Sequence, residues 1–155
     1  MPLPVATGGL SLCGKHAIAP DVVAAMDRCD ATTVVCLVEE REIVDHWPSY
    51  VFWLQGHRGH DAVWFPIHDL HAPSLDRATP LLDDLVGRIE RGEHLLLHCA
   101  AGIGRAGTIA ACILIRLGID MDTALALLRE VRPGAGPEVG TQLDLVKAVA
   151  AGPVG

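Results

Sequence analysis

Residues 95–117 constrain the fold of this chain more than any other stretch. Leu95, Leu96 and Leu97 make a short, unbroken apolar run, as a strand buried on both faces requires. A helix-like apolar run follows at 109–117. Between the two lies His98-Cys99-Ala100-Ala101-Gly102-Ile103-Gly104-Arg105, followed by Ala106-Gly107-Thr108. A strand, a tight glycine-bearing loop and a helix start make an anion pocket. Backbone N–H groups converge there, and the helix N-terminus adds roughly half a positive charge. A cysteine in that setting is expected as a thiolate, and an arginine at the far end can fork two phosphate oxygens. The pattern predicts a nucleophile aimed at a bound phosphate.

The rest of the chain supplies elements to surround this unit. Residues 33–38 form an apolar, β-branched run, and 61–67, centred on Val63, Trp64 and Phe65, read as a further strand. The alternation over 5–14, around Gly8 and Gly9, predicts a small hairpin. Pro20 opens a helix over 21–27. The charged loop 39–42 leads to a helix-like piece reaching His46 and Trp47, and 68–74 is loop. Asp76 caps an amphipathic helix to about Arg91, with Leu81, Leu82, Leu85, Val86 and Ile89 on one face and Gly92 at its end. Further helices are expected at 107–117, at 121–131 behind Asp120, and at 141–150 after the Gly/Pro-rich turn 134–140. Strands alternating with helices imply an α/β fold. A three-layer domain is expected, with a mainly parallel sheet of about four to five strands flanked by helices on both faces. No linker or repeat interrupts the pattern, so residues 1–155 are expected to form one domain.

Composition narrows the function. Half the residues are hydrophobic and the net charge is −7, which describes a soluble globular chain without a basic stripe for nucleic acid. The longest apolar stretch is broken by Arg116 and too short to span a bilayer, so no membrane association is expected. The N-terminus lacks the basic and apolar regions of a secretion signal, and without asparagine there is no N-glycosylation sequon. Five cysteines without CxxC spacing (Cys13, Cys29, Cys36, Cys99, Cys112) fit a reducing, cytoplasmic setting. Cys29, Cys36 and Cys112 read as packing residues. His57, His60, His68 and His71 lack acidic or cysteine partners at ligand spacing, so neither metal nor cofactor is expected.

The loop resembles the active-site signature of the cysteine-dependent protein tyrosine phosphatase superfamily: His-Cys, five residues, Arg, Ser or Thr, then Gly. His98, Cys99, Gly102, Arg105 and Gly107 match, and Ala106 stands where the family usually carries a hydroxyl. Over most of its length the chain is similar to small, atypical dual-specificity phosphatases. The resemblance implies that Cys99 attacks phosphorus and forms a phosphocysteine. Arg105 and the amides of Ala100, Ala101, Gly102, Ile103 and Gly104 would bind the phosphoryl oxygens, and His98 would order the loop. Asp69, in a similar Pro-x-x-Asp setting, would be the proton donor for the leaving oxygen. Gln142, just inside the last helix, would position the hydrolytic water or stand as a solvated helix-start residue. Trp47, Tyr50, Trp53 and Arg58 either rim the site or pack the sheet end.

The expected function is therefore hydrolysis of phosphotyrosine, and also phosphoserine or phosphothreonine, in a phosphorylated protein or a small aryl phosphate. The five loop positions carry no lysine, which disfavours a phosphoinositide. Loss of the hydroxyl at Ala106 is expected to slow release of the cysteine in the second step. Two alternatives stay open: a catalytically weak phospho-binding adaptor, and a rhodanese-type sulfurtransferase, which has no use for an acid at Asp69.

Overall fold

Residues 8–152 are described in the computed structural model of the chain. The apolar runs become a sheet of four strands: β1 (Gly9–Gly14), β2 (Thr33–Cys36), β3 (Ala62–Trp64) and β4 (His94–Cys99). All pairings are parallel, in the order β1-β4-β2-β3. The central strands β2 and β4 show unbroken apolar runs because both their faces are covered: Val34, Val35, Cys36, Leu95 and Leu97 are fully buried. Beyond β3 the chain stays extended, with Phe65 N–H donating to Cys36 O at 2.9 Å and Ile67 N–H to Leu37 O at 3.0 Å.

Among the described residues seven α-helices complete the fold: α1 (Lys15–Ile18), α2 (Val22–Arg28), α3 (Pro48–His57), α4 (Leu75–Glu90), α5 (Gly104–Arg116), α6 (Met121–Val131) and α7 (Gly140–Ala150). The connections β1–α1–α2–β2 and β2–α3–β3 run one way along the sheet, and β3–α4–β4 runs back. Right-handed crossovers therefore put α1–α3 on one face and α4 on the other. Helix α5 packs against α4, α6 and α7, and all of its residues from Gly104 to Leu114 are buried. Among the described residues no helix is long and apolar enough to cross a membrane.

Four local expectations are corrected. No hairpin forms at 8–14: Gly9–Gly14 is one edge strand parallel to β4, and residues 5–7 lie outside the described residues. Gly9 serves a close approach, because a Cβ there would run into the His94 ring. The N-cap of α4 is Ser74, which accepts from Arg77 N–H at 3.3 Å, and Asp76 stands in the first turn. Residues 40–42 form a short 3-10 turn, and the helix beyond it is α3, starting at Pro48. Its sequence, PSYVFWLQGH, has apolar residues on every side and no helical stripe to read. Finally, α5 starts at Gly104, three residues before the expected Gly107, which puts Arg105 in its first turn.

Every strand ends at the same edge of the sheet because all are parallel. At that edge β4 sends its chain to α5 on one face, while its neighbours β1 and β2 send theirs to the other. Cys99, the last residue of β4, stands at this switch point, where open α/β sheets form their crevices.

Candidate active site

The loop between β4 and α5 is shaped by what holds its carbonyls. Ala100 O accepts from Lys15 N–H at 3.0 Å, Ala101 O from the Arg132 guanidinium at 2.6 Å, and Ile103 O from Gly136 N–H at 3.1 Å and Gly107 N–H at 2.9 Å. In a trans peptide the following N–H points opposite to the carbonyl. Tethering these carbonyls outward therefore turns the amides of Ala101, Gly102 and Gly104 away from the tethers. Gly102 is at φ +75°, and a Cβ there would meet the Cys13 carbonyl at 2.5 Å. Only glycine lets the loop turn this tightly against β1.

Cys99 lies at the base of a cleft of about 230 Å³ lined by Asp69, Leu70, Ala100, Ala101, Gly104, Arg105 and Glu138. Its side chain is almost wholly buried, and its Sγ accepts from Ala106 N–H at 3.4 Å. Ala106 is itself buried and brings no hydroxyl, while the Thr108 hydroxyl donates to Gly104 O at 2.6 Å. The amide at the start of α5 is thus the donor given to the sulfur. Away from the cleft, burial pushes the Cys36 and Cys112 thiols up to about 12.

Arg105 is buried, with 1% of its side chain exposed, and is held by a partner the sequence reading missed. Its Nη1 and Nη2 donate to Glu42 Oε2 and Oε1 at 2.8 and 2.9 Å, and Nη1 also donates to Ile67 O at 2.8 Å. Three of its five N–H donors are engaged in this way. The remaining two, on Nε and Nη2, form one edge of the planar fork, with Nη2 3.5 Å from Asp69 Oδ1. Burial works to raise the Glu42 pKa, but the bonds from Arg105 and from Glu39 N–H hold that carboxyl below the usual range. Burial likewise opposes the Arg105 charge, and Glu42 outweighs it, so the guanidinium pKa is raised. The local pattern that could have drawn attention to Glu42 is its capping-box spacing to Glu39, and both halves of that box form.

His98 lies beneath the loop, fully buried, with Tyr50 OH 2.6 Å from its Nε2 and Cys99 O 3.4 Å from Nδ1. Burial pushes its pKa down to about 4 and pushes that of Tyr50 well up, so the phenol is the donor and the imidazole stays neutral. Tyr50 is therefore part of the floor and not of the rim. Trp53 stacks on His57 with centroids 4.2 Å apart, and Arg58 lies 5.8 Å from the Trp64 ring centroid. Trp47 packs edge-on against His16. All four pack around α3 and the sheet end, and none lines the cleft.

Asp69 stands on one lip, 64% exposed, and its Oδ1 accepts from Leu70 N–H at 3.0 Å. Glu138 stands on the other, close enough to Gly104 that a Cβ there would collide with its carboxylate. Of the five loop positions expected to bind phosphate, Ala100, Ala101 and Gly104 line the cleft, and Gly102 and Ile103 do not. Gln142 is fully buried: its Oε1 accepts from Glu138 N–H at 2.7 Å and its Nε2 donates to His71 O at 3.3 Å. Of the histidines, His57 pairs with Asp61 at 2.7 Å and His68 with Glu39 at 2.9 Å.

Comparison with known proteins gives a consistent picture. Residues 12–143 match the family model described as PTP-SAK, Swiss Army Knife protein, DSP-PTPase phosphatase domain. Dual specificity protein phosphatase 16 of Homo sapiens is 35% identical over an alignment of 94 residues that covers 53% of this chain and 14% of that protein. Protein tyrosine phosphatase type IVA 2 of Mus musculus is 36% identical over an alignment of 78 residues that covers 44% of this chain and 47% of that protein. The chain thus spans less than half the length of either curated relative. The crystal structure of Tk-PTP in its active form is 28% identical, with a TM-score of 0.68 over 96% of this chain and 97% of that one. Human DUSP28, 17% identical with a TM-score of 0.69 over 95% of this chain and 94% of its own, shares the fold. With the family match running from β1 into α7 and taking in Asp69, Cys99, Arg105 and Gln142, the chain belongs to the DSP-PTPase phosphatase domain family, in the cysteine-dependent protein tyrosine phosphatase superfamily.

Proposed function

We propose that residues 1–155 act as one catalytic unit that hydrolyses phosphotyrosine, together with phosphoserine and phosphothreonine, in phosphorylated proteins through a phosphocysteine intermediate. The observation that carries this reading is the fork of Arg105. Glu42 and Ile67 O fix the guanidinium from behind, and the Nε/Nη2 edge is left for two phosphoryl oxygens beside Cys99 Sγ. Such preorganised donors favour the charge that develops in the transition state.

In the first step the Cys99 sulfur attacks phosphorus, the bond to the leaving oxygen breaks, and Asp69 gives that oxygen its proton. The products are a thiophosphate ester on Cys99 and the free alcohol or phenol. In the second step water attacks phosphorus, Asp69 takes a proton from it, and the S–P bond breaks to return the thiolate. The Ala106 N–H supports the departing sulfur, and no hydroxyl adds to it. The second step is accordingly the slow one, and phosphocysteine accumulates.

Cys99→Ser tests the assignment with p-nitrophenyl phosphate and a phosphotyrosyl peptide. The variant is expected to lose turnover of both and to keep binding inorganic phosphate. Turnover that survives the substitution overturns the role of Cys99.

A further inference from the structure

We propose that Gln142 is a positioning residue for the proton donor: its buried amide ties the Asp69 loop to the turn bearing Glu138 and so fixes one lip of the cleft against the other. The inference rests on the reading of Cys99 and Asp69 given above.

The need for a tie is visible at Asp69. Its side chain is mostly exposed and touches only Leu70 N–H and, more distantly, the Arg105 fork. Its neighbour Leu70 is at φ +64°, a conformation a non-glycine residue holds only when its surroundings enforce it. A turn bond from His71 N–H to His68 O at 2.9 Å and the His68–His71 ring contact close the loop on itself, but they do not fix where it stands relative to the cleft. At its near end His68 Nδ1 meets Glu39 Oε1 at 2.9 Å and Arg41 Nη2 at 3.0 Å, but these partners are exposed and water competes for them. At its far end His71 O takes the Gln142 Nε2–H, and Gln142 has no exposed surface at all. The Gln142 side of this bond is closed to water, whereas His68 and Arg41 at the near end are open to it, so the far anchor is the better protected of the two.

The same amide holds the opposite lip. Gln142 Oε1 accepts from Glu138 N–H at 2.7 Å, and the Glu138 side chain lines the cleft that Asp69 lines from the other side. One side chain in the first turn of α7 thus joins two loops that are far apart in sequence. The alternative role, holding the hydrolytic water, needs an amide end facing the cleft. Gln142 does not line the cleft, and both of its ends are engaged elsewhere. Proton transfer requires Asp69 within hydrogen-bond reach of the leaving oxygen, so loosening its loop weakens that transfer specifically.

Gln142→Met keeps the volume and removes both bonds. The ratio that reads proton donation is kcat/KM on phenyl phosphate, whose leaving group needs a proton, against 2,4-dinitrophenyl phosphate, whose leaving group does not. The variant is expected to lose roughly 10-fold on the first ester and under about 2-fold on the second. Amide hydrogen exchange over residues 68–71 is expected to accelerate. Gln142→Glu keeps the acceptor for Glu138 N–H, loses the donor to His71 O, and should show the same discrimination. Equal losses on both esters, or no loss, overturn the proposal. So does a fall in kcat alone with kcat/KM intact and more phosphocysteine, which marks a water-holding role. Should the wild-type protein lack Cys99-dependent turnover, the catalytic reading fails instead. Hydrogen exchange then decides the tie alone, and unchanged exchange at 68–71 in Gln142→Met refutes it.

Discussion

Replacing Glu42 by glutamine removes the charge that compensates Arg105 while leaving shape and one acceptor in place. The guanidinium it faces is 1% exposed, and Glu42 itself 16% exposed, so the pair is shielded from solvent. Removing one partner of a buried ion pair costs about 3–5 kcal/mol, because the other charge is left uncompensated. Ile67 O and the remaining amide oxygen still accept from Arg105, so a loss of about 2–3 kcal/mol is expected. For a chain of this size that lowers Tm by roughly 5–10 °C. Two controls isolate the mechanism. In an Arg105→Met background the same Glu42→Gln change should cost under about 0.5 kcal/mol, since no charge is left to strand. The difference between wild type and Glu42→Gln should also depend on pH in one direction. A carboxyl held below its ordinary pKa stabilises the fold above that ordinary value, and the contribution disappears as pH falls through the lowered value. Urea unfolding of the four variants at pH 7, and of wild type and Glu42→Gln down to pH 4, measures both effects. An equal cost of Glu42→Gln in both backgrounds refutes the reasoning.

Two further outcomes follow from the floor of the site. His98 is held neutral with its pKa pushed down to about 4 by burial, while the unfolded chain binds a proton near 6.5. Folding stability should therefore fall as pH drops from 6.5 towards 4, by up to about 3 kcal/mol, with half-buried His94, lowered by burial too, adding to the slope. Urea titrations at pH 7 and pH 5 check this; a flat profile, or one unaltered in His98→Gln, contradicts it. Ala106→Ser should raise kcat several-fold on p-nitrophenyl phosphate with little change in kcat/KM, because the added hydroxyl assists only the departure of the sulfur. Stopped-flow measurements should show the wild-type burst shrink in the variant, and a wild type without a burst removes the premise.

The legible part of this molecule is the part whose physics is local. An unbroken apolar run announces a strand covered on both faces, and residues 98–105 carry the cysteine, the arginine and the turn-permitting glycine within eight residues. Asp120 capped α6 as its spacing required. Asp69 and Arg105 were both assigned to the site, and the fold brings them to 3.5 Å. The illegible part is made of partners distant in sequence. Nothing around Arg105 names Glu42, whose local pattern reads only as a cap, and nothing near His98 names Tyr50. Helix α3 gave no periodic signal because it touches the sheet end on one side and carries exposed Phe52 on the other.

On the proposed function, these distant partners also explain how an acidic chain could hold an anion. The loop contributes no lysine, its one arginine is matched by Glu42, and two more carboxylates stand on the lips. Counted as formal charges, Arg105, Arg132 on the Ala101 carbonyl and Lys15 beside Glu42 do no more than offset Glu42, Asp69 and Glu138. The attraction must come from direction: outward-tethered carbonyls that turn successive amides inward, the N-terminus of α5, and a guanidinium whose unused edge is fixed. Glu42 does not cancel this arrangement, because a charge held behind the fork orients it without occupying the edge that faces the cleft. Binding built from oriented dipoles is less sensitive to salt than binding built from mobile surface charge. The affinity for inorganic phosphate should thus change less than about 3-fold between 0.05 and 0.5 M sodium chloride, and a steep fall would assign the attraction to net charge instead.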